Sequence, residues 1–241
     1  RRRVDGQAAH DGRRPGHALT YTPPMAESGS ILIGLTGGIG TGKSRVAELL
    51  RELGAAVECS DAIVRELQAP GGAGLEAIVA TFGREYLTAS GELDRPKLGK
   101  LVFNDPGARM KLNLLIHPLV TRETQARIAL HRARGVAVIV ADIPLLLEGK
   151  KSGVGSGAVL PFDRIALVYA TEAQQLDRVM ARDGLSREDA LSRIRSQLPI
   201  EEKRALADVV IDNSGPWEAT ERQVRSCYAD WLKVARSGPR G

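Results

Sequence analysis

Apolar residues along the chain alternate between short continuous runs and longer stretches in which they recur every three or four positions. Short runs are typical of buried strands, and the spaced stretches are typical of helices with one apolar face. Five short runs predict strands, at residues 31–35, 55–59, 136–141, 164–169 and 209–211. Because helical patterns separate these runs, we expect one α/β domain over residues 30–241.

The longest helical stretch lies between the second and third predicted strands, from Pro70 to about Arg134. Glycines and prolines are expected to break it into several helices, at Gly71-Gly72, Gly91, Pro96, Pro106 and Pro118. A simple crossover between parallel strands needs far fewer residues. The pattern therefore predicts a helical lobe over about residues 61–134 that receives a second substrate.

Two segments after the third predicted strand stand out. Residues 149–157 are rich in glycine, lysine and serine, which predicts a mobile loop. Residues 178–205 carry several arginines on two short helical patterns joined by Asp183-Gly184, and the first of these helices presents Arg178 and Arg182 on one face. We interpret this segment as a lid over polyphosphate, with solvated surface helices as the alternative.

The first 24 residues differ from the rest in composition. They carry five arginines and two aspartates and so supply three of the five net positive charges. They show no hydrophobic period, and we expect residues 1–29 to form a disordered tail, with Met25 as the expected biological start. The remaining charge is small and aromatic residues are only 4% of the chain, so nucleic acid is not an expected partner.

Two cysteines, Cys59 and Cys227, are too few and too far apart for a disulfide framework or a zinc site. The chain has no run of 18 apolar residues, and its arginine-rich start is not followed by the apolar segment of a secretory signal. We therefore expect no membrane association and a cytoplasmic protein, either a monomer or a weak homo-oligomer.

The strongest motif is Gly37-Gly38-Ile39-Gly40-Thr41-Gly42-Lys43-Ser44, which fits G-x-x-x-x-G-K-[ST] between the first predicted strand and a helical pattern. Glycines allow a tight turn whose N–H groups point inward and hold phosphate oxygens. Lys43 is then expected to bridge the β- and γ-phosphates and the Ser44 hydroxyl to ligate Mg²⁺. A chance glycine-rich turn is the alternative.

Carboxylates follow the second and third predicted strands. Asp61 and Asp142 stand at the carboxyl ends of these strands, where parallel sheets bind ligands. Asp61 is therefore a site candidate or, equally well from its position, the N-cap of the next helix. Asp142 is a candidate to support Mg²⁺ or to cap the Pro144-Leu145-Leu146 turn.

Several further pieces accompany this loop at particular positions. They are Asp61 with the helix to Glu66, Phe82-Gly83, residues 91–95, Val102-Phe103, His117-Pro118, residues 142–148, residues 175–178, Gln197 and residues 207–215. With residues 35–44, they make the chain resemble the dephospho-coenzyme A kinase family over about residues 31–228. The phosphate loop alone is generic, but the combination of Leu-Asp-Arg, His-Pro and Pro-Leu-Leu-x-Glu is highly specific.

The resemblance implies a phosphate-loop kinase with a parallel five-stranded core, a helical coenzyme A lobe and a lid. It implies transfer of the γ-phosphoryl group of MgATP to the ribose 3′-hydroxyl of dephospho-coenzyme A. Asp61 is then the implied base, and Lys43 and Arg178 are the implied charge stabilisers. The implied contacts to ATP are Gly38, Ile39, Gly40, Thr41, Gly42, Lys43, Ser44, Arg45 and Asn213, with Asn213 near the base. The implied contacts to the acceptor are Asp61, Arg95, His117, Pro144, Leu145 and Leu146.

The chain departs from the family's usual pattern at three places. Cys59 stands where the family usually has the first aspartate of Asp-Ala-Asp, Arg45 stands where threonine is common, and the loop at residues 149–157 is longer than usual. We expect His117 to be mainly structural, with Pro118 in the first turn of a helix. Arg95 is expected to contact acceptor phosphate, with capping or pairing with Asp94 or Glu92 as the alternative.

Two other functions compete with this reading. A kinase of the same fold acting on a nucleoside, a nucleotide or shikimate would share the phosphate loop. A nucleotide switch or GTPase would also share it, but the chain has no Asn-Lys-x-Asp guanine signature and a switch has no need of an arginine-bearing lid. The lobe motifs favour the dephospho-coenzyme A acceptor.

Overall fold

A computed structural model describes residues 29–237. Its centre is a five-stranded, entirely parallel sheet, as predicted, with the strand order β2-β3-β1-β4-β5. The strands are β1 (Ile31–Gly37), β2 (Ala56–Cys59), β3 (Val138–Asp142), β4 (Arg164–Tyr169) and β5 (Val209–Asp212). The central strand β1 is buried along its whole length, which explains its continuous apolar run.

The connections of the sheet create a crevice at the end of β1. This strand pairs with β3 on one side and with β4 on the other. The connections from β1 and β3 leave to opposite sides of the sheet, and ligands bind in parallel sheets where the strand order reverses. The glycine loop at the end of β1 lies at this switch point.

One face of the sheet is covered by α1 (Lys43–Glu52) and α11 (Trp217–Ser237). Both helices are amphipathic, and the buried side chains Val46, Leu50, Val224 and Trp231 pack with Ile33 and Leu35 of β1 in one cluster. This packing fixes the start of α1 next to the glycine loop.

The inserted lobe has its own core. It comprises α2 (Ser60–Leu67), α3 (Ala73–Phe82), a 3₁₀ turn (Arg84–Tyr86), α4 (Arg95–Asn104) and α5 (Pro106–Ala133). Its buried side chains form a cluster of Ile63, Leu75, Ile78, Leu93, Leu98, Ile116 and Val120. The lobe therefore has a hydrophobic core separate from the clusters that pack on the sheet.

Prolines begin two of these helices as predicted, but the predicted break at Pro118 is wrong. Pro96 and Pro106 lie in first turns, capped by the carboxylates of Asp94 and Asp105. Pro118 lies inside α5, so it does not occupy a first turn. Pro118 has no N–H to donate to the carbonyl of Leu114, a residue that is 69% exposed.

Most of the predicted mobile loop at residues 149–157 instead belongs to two short helices, α6 (Leu146–Ser152) and α7 (Ser156–Val159), which residues 153–155 join. Its glycines serve close packing: a Cβ on Gly157 would lie 2.4 Å from the Leu146 carbonyl oxygen. Composition alone does not distinguish glycines that allow motion from glycines that allow close approach.

The arginine-bearing segment forms α8 (Glu172–Asp183), α9 (Arg187–Arg195) and α10 (Ile200–Leu206). Thr171 and Gln174 make the predicted capping box, and the Ser186 hydroxyl caps α9. Gly184 ends α8 in the left-handed conformation. The two helices and the turn between them are therefore as predicted.

Residues 1–28 and 238–241 lie outside the described part of the chain, so the predicted tail falls almost wholly there. Across residues 29–237, none of the helices combines the length and the apolar character that crossing a membrane requires. Cys59 and Cys227 are both free thiols.

Candidate active site

The glycine loop packs closely against the neighbouring residues Gln175 and Asn213. Gly40 and Gly42 have positive φ angles of 78° and 88°. A Cβ on Gly40 would lie 2.7 Å from the Gln175 carbonyl oxygen, and one on Gly42 would lie 2.3 Å from the Asn213 amide nitrogen. Side chains are therefore excluded at both positions by conformation and by space.

The N-terminus of α1, which is the positive end of its helix dipole, lies directly after this loop. Gly42 is the N-cap, no side chain caps the helix, and its first turn carries no acidic residue. Backbone N–H groups at such an end attract anions. Ser44 is exposed in the first turn, so its hydroxyl is available to a ligand.

Lys43 and Asp142 form an ion pair across the crevice. The side chain of Asp142 is only 6% exposed, and that of Lys43 is 14% exposed. Burial raises the pKa of Asp142 above its ordinary value, although the Lys43 ammonium lowers it, and the nearby negative charge of Asp61 raises it further. Two carboxylates and one ammonium therefore share this crevice.

The position of Asp61 rules out the N-cap interpretation. The N-cap of α2 is Cys59, and no side chain caps that helix. Asp61 is exposed in the first turn, and within residues 29–237 its carboxylate accepts no hydrogen bond. Cys59 is in register with Asp142 on the neighbouring strand, which brings Asp61 to the same edge of the sheet. Its carboxylate is therefore free to meet a ligand.

A cavity of about 600 Å³ opens beside Asp61. Among the predicted acceptor contacts, Asp61, His117, Pro144 and Leu145 line it. Leu146 does not line it, because this side chain is fully buried in the cluster beneath the sheet. The buried Thr36 hydroxyl donates to the Pro144 carbonyl (3.0 Å), which ties this wall to β1.

Arg95 lies behind the cavity wall. Its guanidinium donates to the side-chain carbonyl of Gln68, a residue that lines the cavity. Within residues 29–237, Arg95 forms no ion pair with Asp94 or Glu92, and Asp94 instead caps α4. The alternative of a pairing with either carboxylate is therefore wrong.

His117 lines the cavity from α5. Burial lowers the pKa of its imidazole, so the ring is neutral near pH 7. Nδ1 is buried, and among residues 29–237 it has no hydrogen-bond partner. His117 also lines a second cavity of about 810 Å³. The imidazole therefore contributes to the walls of two neighbouring cavities.

Arg178, in the segment predicted to form a lid, reaches the glycine loop. Its guanidinium donates to the Gly40 carbonyl (3.3 Å) and to the Asn213 carbonyl (2.9 Å). Arg182 pairs with the neighbouring Asp183, and Arg193 reaches the same carboxylate. The arginines of α8 and α9 therefore have different neighbours, and Arg178 alone among these three contacts the loop.

Asn213 and Arg45 are engaged with protein groups. The Asn213 amide donates to the Thr41 carbonyl (2.7 Å) and accepts from the Thr220 hydroxyl (3.0 Å), so this side chain braces the glycine loop. The Arg45 guanidinium stacks 3.7 Å from the centre of the Trp217 ring. This stack accounts for the side chain at the position where the family usually has threonine.

Sequence reasoning assigned no role to three residues around the loop. The Gln175 side chain packs against Gly38, the Gln197 carbonyl accepts from the Ile39 N–H (3.1 Å), and Trp217 carries the Arg45 stack. Gln175 and Gln197 belong to the family motifs, and this membership could have indicated their importance. No sequence feature pointed to Trp217, because its partner Arg45 lies far away in sequence.

Magnesium is compatible with the oxygen groups at this site. No group of three or more histidine, cysteine or acidic side chains is positioned for a metal among residues 29–237. Mg²⁺ commonly uses only one or two carboxylates together with substrate phosphates and water. The Ser44 hydroxyl and the Asp142 carboxylate at the edge of the phosphate loop suit that requirement.

Comparison with known proteins identifies a family. A family model described as dephospho-CoA kinase matches residues 31–218. The dephospho-CoA kinase of Carboxydothermus hydrogenoformans is 45% identical over 83% of this chain and 94% of its own length. That of Geobacter metallireducens is 41% identical over 87% of this chain and its entire length.

Solved structures give the same result. TT1252 from Thermus thermophilus superposes with a TM-score of 0.68 and 36% identity, covering 84% of this chain and 98% of that one. The dephospho-CoA kinase from Campylobacter jejuni superposes with a TM-score of 0.61 and 27% identity, covering 84% and 97%. Together with the family model, these relatives show that the protein belongs to the dephospho-CoA kinase family.

Proposed function

We propose that this protein transfers the γ-phosphoryl group of ATP to the ribose 3′-hydroxyl of dephospho-CoA, the last step of coenzyme A synthesis. The observation that carries the proposal is that Asp61 lines the 600 Å³ cavity and lies close enough to Asp142, the partner of Lys43 in the phosphate loop, for their charges to interact. Family membership supports the choice of both substrates.

On the nucleotide side, the N–H groups of residues 38–45 hold the phosphates of ATP at the start of α1. Lys43 stabilises charge on the transferred group, and it can exchange its contact with Asp142 for phosphate oxygens. Arg178 adds positive charge next to Gly40. Because the transition state of phosphoryl transfer is loose, positioning and charge supply most of the rate enhancement.

We also propose that Ser44 and Asp142 hold Mg²⁺ with the phosphates. These two residues would hold the ion, which would supply neutralisation of phosphate charge. Asp142 suits this role because its buried carboxylate faces the Lys43 ammonium at the end of β3. The absence of the family's usual first aspartate at Cys59 leaves Asp142 and Asp61 as the carboxylates nearest the loop.

On the acceptor side, Asp61 orients the ribose hydroxyl and accepts its proton. The free carboxylate at the mouth of the cavity supports this role. His117, Pro144 and Leu145 shape the wall that receives the acceptor, with Arg95 acting through Gln68. The neutral His117 ring is then a wall residue and does not supply charge.

An acceptor panel tests the proposal. ADP release is measured with ATP and one acceptor at a time: dephospho-CoA, adenosine, AMP or shikimate. We expect turnover with dephospho-CoA and a kcat/KM at least tenfold lower with each of the others. Equal turnover with AMP, or none with dephospho-CoA while ATP binds, would contradict the proposed acceptor.

A further inference from the structure

Lys203 is an unusual buried residue. It lies on α10 between exposed or half-buried charged neighbours, yet its side chain is 0% exposed. Lysine is almost never fully buried unless it is paired. Its ammonium lies 2.7 Å from Glu148 Oε1, and within residues 29–237 it has no well-directed hydrogen-bond acceptor. The contact is therefore an ion pair held inside the protein.

Glu148 connects this pair to the segment after α9 and to the 600 Å³ cavity. Its Oε1 also accepts from the backbone N–H of Leu198 (3.0 Å), at the start of the segment that leads from α9 to α10. Glu148 lines the 600 Å³ cavity as well. One carboxylate thus anchors the end of the lid to the wall of the acceptor cavity.

Gln197, next to Leu198, reaches the phosphate loop. Its side-chain carbonyl accepts from the Ile39 N–H at 3.1 Å. Since Gln197 and Leu198 are adjacent, fixing the Leu198 N–H on Glu148 also limits where the Gln197 side chain can lie. A continuous set of contacts therefore runs from Lys203 through Glu148 and Leu198 to the phosphate loop.

Stability does not account for a buried pair of this kind. Removing two opposite charges from water costs several kcal/mol per ion, and well-packed apolar replacements are often as stable or more stable. An exposed pair, Lys151 with Glu202, already joins the same two helices at 2.7 Å. The buried pair is therefore redundant as a simple link between α6 and α10.

We infer that Lys203 and Glu148 are positioning residues that hold Gln197 against Ile39, so that the phosphate loop and the acceptor cavity are shaped by one shared contact. The inference rests on the proposed function for the identity of the acceptor. Its structural part concerns the Ile39 N–H alone and does not depend on the acceptor.

The test compares Lys203→Met with Gln197→Leu. The readouts are the ¹H–¹⁵N signal of the Ile39 amide, the affinity for a non-hydrolysable ATP analogue, and kcat with dephospho-CoA. Gln197→Leu removes the hydrogen-bond acceptor of the Ile39 N–H and so defines the signal of an Ile39 amide without that bond. We expect Lys203→Met to shift that signal in the same direction, and both variants to lose about 10- to 100-fold in kcat, the usual effect of a misplaced group.

Lys151→Met is the matched control, since it breaks the exposed pair between the same helices. It should leave the Ile39 signal and kcat unchanged. If Lys203→Met does not fold, the double variant Glu148→Leu/Lys203→Met removes both charges and should fold while keeping the altered Ile39 signal and the low kcat.

A wild-type Ile39 signal and wild-type kcat in the folded Lys203 variant or in the double variant would overturn the inference. So would a wild-type kcat in Gln197→Leu, which needs no change in the buried pair. If instead the proposed function is wrong, wild-type protein shows no turnover of dephospho-CoA. The Ile39 signal and the affinity for the ATP analogue would still change in the variants as expected.

Discussion

At the scale of single residues, the chemistry depends on a few charged groups with different partners. Lys43 and Asp142 neutralise one another, Arg178 is held by two carbonyls, and Asp61 is free among the described residues. Ion pairs and hydrogen bonds hold side chains in place before substrates arrive. We therefore propose the free carboxylate as the group that acts on a substrate hydroxyl.

Replacing Asp61 by Asn should separate catalysis from binding. The amide keeps the shape of the side chain but cannot accept a proton, so kcat should fall by roughly 10²–10⁴-fold. ATP affinity and melting temperature should stay close to wild type, because Asp61 makes no cap in the fold. Asp105→Asn is the matched control, since Asp105 is an exposed N-cap of the same lobe and asparagine caps equally well. An Asp61→Asn enzyme that keeps more than about a tenth of wild-type kcat would rule out the proton-accepting role.

Asp142→Asn should uncouple stability from activity. Burial raises the pKa of Asp142 in the folded protein, so the ionised carboxylate costs folding free energy at neutral pH. The cost is complete above the folded pKa and disappears as the pH falls below the unfolded pKa. The variant should therefore unfold at equal or higher denaturant concentration than wild type near pH 7, with an advantage that shrinks toward acid, while kcat falls. Denaturant titrations at several pH values measure this, and an advantage that grows as the pH falls would contradict it.

At the scale of elements, sequence patterns predicted the strands and the helix caps of α8 and α9 correctly. They gave wrong predictions for Pro118 and for the glycine-rich segment at residues 149–157. The continuous apolar run of β1 and the capping box of α8 are local signals, and both are present. Pro118 continues α5 beside the exposed Leu114, and most of residues 149–157 belong to α6 and α7, where Gly157 packs closely against the backbone. Neither the exposure nor the close packing can be inferred from neighbouring residues in the sequence.

Two glycine substitutions test the packing of α6 and α7. In Gly157→Ala the new Cβ would lie 2.4 Å from the Leu146 carbonyl, so the variant should lose about 1–3 kcal/mol of stability through overpacking. Gly99→Ala is the matched control: Gly99 lies inside α4 with no atom within 4 Å of its Cβ position, so alanine should stabilise by about 0.5–1 kcal/mol. Chemical denaturation measures both. A Gly157→Ala protein as stable as wild type would indicate that this segment is loosely packed.

At the scale of the whole molecule, the phosphate loop and the Asp61–Asp142 edge were predictable from sequence because each follows a strand at a fixed offset. The bracing contacts were not. Asn213 to Thr41, Gln197 to Ile39 and Lys203 to Glu148 join residues that are distant in sequence, and only the tertiary fold brings them together. Monomeric or weakly associated state, cytoplasmic location and the lid's closure remain predictions.

Deleting residues 1–24 should leave kcat and melting temperature nearly unchanged. This segment has no hydrophobic period with which to pack on a core. Activity and thermal denaturation of the full chain and the shortened chain are compared in the same buffer. A loss above about 1 kcal/mol, the size of an ordinary destabilising mutation, would show that the segment docks on the domain.

The most direct test of the central claim is the position of the phosphate in the product. Dephospho-CoA is incubated with the protein and γ-labelled ATP, and the product is analysed by mass spectrometry and ³¹P NMR. We predict stoichiometric transfer of label to the ribose 3′-oxygen, giving a product identical to coenzyme A. Label on any other oxygen, or hydrolysis of ATP with no label in the acceptor, would contradict the account.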